Sequence, residues 1–279
     1  MYEAEVHRMS VGAGQVALLE VGAAAGRPVV LVPGLSDGLA PVEDPAARAL
    51  YASAPVPLDR IRGLVVSYRD PVRPGVTTRE LAHDLAQVLR GRLDAPAVIV
   101  AHSLGGMVAQ HLAAAAPQLV AGLVLTACPD RADDRLRDVL ARWDTWLAAG
   151  DQARFRHDAI MTSVTGAARR AHLELDAAAS HIHPGPARVA RHLALSAACA
   201  GHDATSVLDS IRAEVLVLAG GRDEVVSPER SRMLAAAIPD AGIEVFTDLG
   251  HGFPEQARGP FQARVARFLT ELGWDRGGQ

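Results

Sequence analysis

The chain contains no lysine and no asparagine, and all 28 of its basic residues are arginine. Without lysine there is no Schiff-base chemistry, no pyridoxal-phosphate anchor, no P-loop lysine and no Ser-Lys dyad. Without asparagine there is no N-glycosylation site. The two cysteines, Cys128 and Cys199, are too few for a disulfide scaffold and lack the paired spacing of a metal site, so both are expected to be buried thiols. A net charge of −4 offers no basic surface for nucleic acid. No apolar run approaches membrane-spanning length, and the opening Met-Tyr-Glu-Ala-Glu-Val lacks the basic-then-apolar profile of a signal peptide. The expectation is a cytoplasmic protein with neither a nucleic-acid nor a membrane partner. Aromatic residues make up only 4% of the chain, so any apolar pocket should be walled mainly by aliphatic side chains.

What is present is 279 residues of which 49% are hydrophobic, enough for one large domain or a core domain with an insertion. Residues 4–9 and 15–21 alternate weakly around Gly12-Ala13-Gly14, the pattern of an antiparallel hairpin. Four near-continuous apolar runs follow, at 29–32, 61–66, 97–101 and 123–126, and suit parallel strands covered on both faces. Thr77-x-x-Glu80 is a capping box opening a helix with Leu81, Leu85, Val88 and Leu89 on one face. Two late strands are expected at 214–219 and 243–247, with Ser227-Pro228 starting a helix between them. A last helix is expected from about 254 to 272. Strand and helix alternating in this way imply an α/β fold with a doubly wound, mostly parallel sheet. The stretch 130–205 breaks the rhythm. It shows helical periodicity at Leu136, Val139, Leu140, Trp143 and Leu147, then over 173–179 and 189–199, and no strand pattern.

Gly12-Ala13-Gly14-Gln15-Val16-Ala17 matches the dinucleotide fingerprint G-x-G-x-x-A. That motif needs a buried strand before it and a helix after it. Here Glu5, His7 and Arg8 precede it and a short segment ending at Gly22 follows, so nucleotide binding is set aside and no cofactor is expected.

The most informative stretch is Ala97-Val98-Ile99-Val100-Ala101-His102-Ser103-Leu104-Gly105-Gly106. A short buried strand runs into a helix through a turn in which Ser103 is flanked at two residues' distance by Ala101 and Gly105. So tight a turn strains the serine backbone and lifts its hydroxyl above the sheet edge. This small-x-Ser-x-small pattern resembles the nucleophile elbow of the α/β-hydrolase family, with Ala101 in place of the usual first glycine. The resemblance covers nearly the whole chain outside 130–205. It implies an acid in Gly220-Gly221-Arg222-Asp223-Glu224 and a histidine in Leu249-Gly250-His251-Gly252-Phe253, in the family's order of serine, acid, histidine. Ser103, Asp223 and His251 are thus the expected catalytic triad, with Glu224 and Asp130 as rival acids. The expected oxyanion donors are the backbone N–H groups of Leu104 and Leu35. Leu35 lies in Val32-Pro33-Gly34-Leu35-Ser36-Asp37-Gly38, where the family usually has His-Gly and this chain has Pro33-Gly34. The missing histidine leaves open what holds that loop.

The resemblance further implies that 130–205 is a helical cap on a core formed by 1–129 and 206–279. Ser36, His102, Trp143 and Trp146 are the candidate pocket residues. His181-x-His183 lacks a third ligand at fixed spacing and is read as a solvated pair, with no metal expected. The leading expectation is a serine hydrolase acting on a small-molecule ester, lactone or thioester. The same triad also serves acyl transfer, C–C bond hydrolysis, lyase or cofactor-free perhydrolase chemistry, and a non-catalytic ligand-binding protein on this scaffold is the distant alternative. Serine at 103 argues against the haloalkane dehalogenases and epoxide hydrolases of this family, which need a carboxylate nucleophile there.

Overall fold

The computed structural model describes residues 5–23, 26–52, 61–178 and 184–274. Eight strands form one sheet: β1 (Glu5–Val11), β2 (Gly14–Gly22), β3 (Arg27–Val32), β4 (Ile61–Val66), β5 (Ala97–His102), β6 (Val120–Thr126), β7 (Glu214–Gly220) and β8 (Gly242–Phe246). Their order is β1-β2-β4-β3-β5-β6-β7-β8. The β1–β2 hairpin joins β4 antiparallel, and every later pairing is parallel. Gly12, at φ +56°, turns the hairpin, and a Cβ at Gly14 would lie 2.8 Å from the Asp70 carbonyl oxygen, so both glycines of the apparent dinucleotide fingerprint serve the hairpin.

Side chains alternate across the pleat, so the apolar runs feed two cores. Val30, Val32, Ile99 and Leu123 face one side, and Val29, Leu31, Val98 and Val124 face the other. The first side is covered by α2 (Thr78–Arg92) and α3 (Leu104–Ala115), and further along by α8 (Pro228–Ala237). The second is covered by α9 (Phe253–Gln256) and α10 (Arg258–Glu271), while α1 (Pro45–Ala52) follows β3. The capping box at Thr77 is complete, and the Ser227 hydroxyl caps α8.

The single last helix expected from sequence is two helices. Pro260 has no N–H to bond the carbonyl four residues earlier, and the chain breaks at Ala257, whose ψ of 50° is not helical. Among the described residues four α-helices lie between β6 and β7: α4 (Asp134–Ala148), α5 (Gln152–Ser163), α6 (Ala168–Ala178) and α7 (Pro186–Ala200). Sequence periodicity missed α5, which carries no apolar stripe and buries only Phe155 and Thr162. The two ends of this helical segment are fastened side by side. Ala132 N–H donates to the His202 carbonyl at 2.8 Å, and Ala204 N–H to the Asp130 carbonyl at 3.0 Å. His181 and His183 lie outside the described residues. Among the described residues no helix is long and apolar enough to cross a membrane.

A buried ion pair ties the helical segment to the sheet. Asp37, in the 3-10 turn Leu35–Gly38, pairs with Arg191 of α7 at 2.6 Å, and the two side chains are 1% and 2% exposed. The same carboxylate accepts the Ser67 hydroxyl at 2.5 Å and Tyr68 N–H at 3.1 Å, while Arg191 also donates to the Tyr68 carbonyl at 2.8 Å. The Tyr68 hydroxyl donates to the Pro33 carbonyl at 2.6 Å. The loop after β3 is therefore held from both sides. Removing one partner of a buried pair leaves a charge in low dielectric. Arg191→Met should cost about 3–5 kcal/mol of unfolding free energy. The pair Asp37→Asn with Arg191→Met should cost less than Arg191→Met alone, because no carboxylate is stranded, and urea unfolding of the three proteins checks the order.

Between α4 and α7, burial raises the Asp144 carboxyl to about 6, although the Ser196 hydroxyl donates to it at 2.8 Å. The folded state therefore holds this proton to higher pH than the unfolded chain, and stability falls as pH rises from about 4 through about 6. Asp144→Asn keeps an acceptor for Ser196 and cannot ionise. It should stabilise the protein at pH 7.5 by on the order of 1–2 kcal/mol, with no gain at pH 4, as read from thermal midpoints at the two pH values.

Candidate active site

β5 ends at His102 and α3 begins at Leu104, so Ser103 alone makes the turn, at φ 53° and ψ −117°. A non-glycine residue in this region costs on the order of 1–3 kcal/mol and persists only where its neighbours fix it. Here Ser103 N–H donates to the Thr126 carbonyl at 2.8 Å. Gly105 lets α3 rest on the end of β3, since a Cβ there would lie 2.2 Å from the Val32 carbonyl oxygen. The small residue read from the motif is thus a steric requirement.

The loops after β7 and β8 bring their residues to the same point. Asp223 is 3% exposed, and one of its oxygens accepts N–H bonds from Val225 and Val226, both at 2.8 Å. That grip turns the other oxygen to His251 Nδ1 at 2.8 Å. His251 Nε2 lies 3.0 Å from Ser103 Oγ. A carboxylate only accepts, so Nδ1 carries the proton and Nε2 is left to accept from the serine hydroxyl. The two loops approach backbone to backbone, because Gly220 lies where a Cβ would meet the Gly250 carbonyl oxygen at 2.4 Å. From the other side, Gly252 N–H donates to the Ser163 carbonyl at the end of α5, at 2.8 Å.

The rival acids are engaged elsewhere. Asp130 is buried in an ion pair with Arg230 of α8, and Glu224 is exposed and lies 3.7 Å from Arg169. Leu104 opens α3, where first-turn N–H groups have no intrahelical acceptor. Gly34, immediately before Leu35, sits against the serine, where an added Cβ would lie 3.3 Å from Ser103 Cβ. The backbone at 34–35 and the start of α3 therefore flank the hydroxyl on two sides.

Above Ser103 is a pocket of about 370 Å³. Leu136, Leu140 and Trp143 of α4 and Phe155 and Ala159 of α5 form its roof, and Met107 of α3 lies on the core side. His102 and Ser36 also line it, Ser36 from an exposed position. His102 Nδ1 lies 3.1 Å from the Thr126 hydroxyl, which itself donates to the Ala101 carbonyl. Burial, aided by the neighbouring His251, pushes the His102 imidazole down to about 3, so it is neutral at physiological pH.

Trp146 is not brought to the pocket. Its ring lies against the guanidinium groups of Arg142 and Arg154, at the edge of the apolar stripe and partly buried against the core. Sequence reasoning missed Phe155, Arg156, His192 and Cys199 as lining residues. Phe155 and Arg156 belong to the helix without a stripe. His192 and Cys199 lie in a helix that was foreseen, but periodicity does not say which cavity a buried face borders.

The sequence pattern of the alpha/beta hydrolase fold matches residues 27–257. A protein of Azorhizobium caulinodans, provisionally named carbamate hydrolase RutD, is 30% identical over 252 residues, spanning 89% of this chain and 93% of its own length. The pimeloyl-[acyl-carrier protein] methyl ester esterase of Chromobacterium violaceum is 29% identical over 210 residues, or 68% of this chain and 74% of its own. Among solved structures, MGS-M2, an alpha/beta hydrolase enzyme from a Medee basin deep-sea metagenome library, superposes with a TM-score of 0.82 over 98% of both chains at 16% identity. With the eight-stranded sheet, the serine turn and the matched span agreeing, the chain belongs to the α/β-hydrolase fold family.

Proposed function

We propose that this protein is a serine hydrolase that cleaves a small carboxylic ester, lactone or thioester through an acyl-serine intermediate. The observation that carries the reading is the unbroken relay from Ser103 Oγ to His251 at 3.0 Å and from His251 to Asp223 at 2.8 Å, at the base of an apolar pocket. Both sequence relatives described above carry hydrolase names, one of them an esterase.

In this reading Ser103 Oγ attacks the acyl carbonyl while His251 Nε2 takes its proton. The tetrahedral oxyanion is held by the N–H groups of Leu35 and Leu104, the latter aided by the positive end of the α3 dipole. His251 returns the proton to the leaving group as the intermediate collapses, then activates water for attack on the acyl-serine. Asp223 keeps the imidazole in its Nδ1–H tautomer and stabilises the imidazolium formed at each step. Residues 130–205 act as the cap, since the helices spliced between β6 and β7 supply most of the pocket roof.

Ser103→Ala should lower kcat/KM for p-nitrophenyl esters by on the order of 10³-fold or more, with the fold unchanged by circular dichroism. Asp223→Asn should be similarly damaging, and Asp130→Asn mild in rate because Asp130 faces Arg230. Retention of most of the esterase rate by Ser103→Ala, with contaminants excluded, would overturn the mechanism. The reverse ranking of the two aspartates would move the acid to the loop after β6.

A further inference from the structure

Among the described residues the pocket lining carries one formal charge: Arg156 of α5 lines the cavity, and no described aspartate or glutamate does. Two of the imidazoles that line it do not add to that charge. His102 is held neutral, and burial together with the adjacent Arg191 pushes His192 down to about 4. The remaining wall is overwhelmingly apolar, from Met107, Leu136, Leu140, Trp143, Phe155 and Ala159. Beside so apolar a wall, a guanidinium interacts more strongly with an anion than it would in water. Its partner among the described residues is Asp176 of α6, 2.6 Å from Nε, and the two side chains are 20% and 22% exposed. Asp176 itself is not a lining residue. The contact is an ion pair without a hydrogen bond, since Nε has no hydrogen-bond partner. A guanidinium offers five N–H donors over two edges, so Asp176 leaves donors for a second carboxylate.

We propose that Arg156 is a specificity-determining residue that selects substrates bearing a carboxylate at the far end of the acyl group, namely monoesters or monothioesters of dicarboxylic acids. The proposal rests on the serine-hydrolase reading above. With the reacting carbonyl at Ser103, the apolar wall takes the intervening methylenes and Arg156 receives the distal carboxylate. Asp176 holds the guanidinium in place when the pocket is empty and competes with the substrate for it. Arg156 acts on binding and takes no part in proton or acyl transfer.

The alternative is that Arg156 and Asp176 merely clamp α5 to α6, and the two accounts predict opposite results. The probes are the mono-p-nitrophenyl esters of succinate, glutarate and adipate, each paired with its neutral counterpart in which the free carboxyl is a methyl ester. The readout is the ratio of kcat/KM for the charged ester over the neutral one. Wild type should favour the charged ester by tenfold or more for at least one chain length, mostly through KM. Arg156→Gln should lower that ratio at least tenfold, and Arg156→Lys should retain part of it. Asp176→Asn should raise the ratio, because the competing carboxylate is gone.

A clamp would instead make Arg156→Gln and Asp176→Asn lower the thermal midpoint alike and leave the ratio untouched. A wild-type ratio at or below one at every length, or a ratio unmoved by Arg156→Gln or not raised by Asp176→Asn, overturns the proposal. Hydrolysis of the neutral esters that disappears in Ser103→Ala keeps the parent reading intact whatever the ratio shows. Absence of Ser103-dependent hydrolysis for every ester would defeat the parent reading itself.

Discussion

The conformation of one residue organises the site. Ser103 must adopt a positive φ so that β5 can turn directly into α3, and a serine does so only where the surroundings leave no alternative. Three restraints supply this. The serine N–H is tied to β6 through the Thr126 carbonyl, Gly105 admits the β3 carbonyls to the first turn of α3, and Gly106 admits the Cys128 side chain. The parallel sheet is what places β3, β5 and β6 side by side at this height. The order of strands thus sets the height of one hydroxyl, and the loops after β7 and β8 bring Asp223 and His251 to it.

A second constraint concerns the loop after β3, where the chain departs from the family's usual His-Gly. The Asp37–Arg191 pair and the Tyr68–Pro33 hydrogen bond fix that loop to β4 and to α7. Because α7 belongs to the helical segment over the pocket, the loop carrying Leu35 and the roof share an anchor. A shift of α7 would therefore be felt at the backbone beside Ser103. The energetic logic is that of a buried ion pair with several of its hydrogen bonds made, whose value lies in geometry more than in net stability.

Most of the core was legible in the sequence because parallel strands buried on both faces read as continuous apolar runs, as at 97–101, and because caps such as Thr77-x-x-Glu80 have a local signature. The residues of the relay were legible through motif order, since each sits just beyond a recognisable strand. Harder to read was whatever depended on non-local packing. Helix α5 has no apolar stripe and buries only Phe155 and Thr162, so Arg156 gave no signal. The Asp37–Arg191 pair joins residues 154 positions apart, and nothing local to either predicts the other. The break at Ala257 was readable in principle from Pro260, whose cost falls on a carbonyl four residues back. Trp143 and Trp146 lie one helical turn apart on the same side of α4, and nothing local tells that the first lines the pocket while the second stacks with arginines.

The central claim is that Ser103 is a nucleophile activated by His251. It is tested most directly by incubating the protein with a fluorophosphonate and mapping the adduct by peptide mass spectrometry. The account predicts a single stoichiometric adduct on the peptide bearing Ser103, formed far more slowly in His251→Ala. A protein that stays unmodified, or is modified elsewhere while the Ser103 peptide remains free, would contradict it.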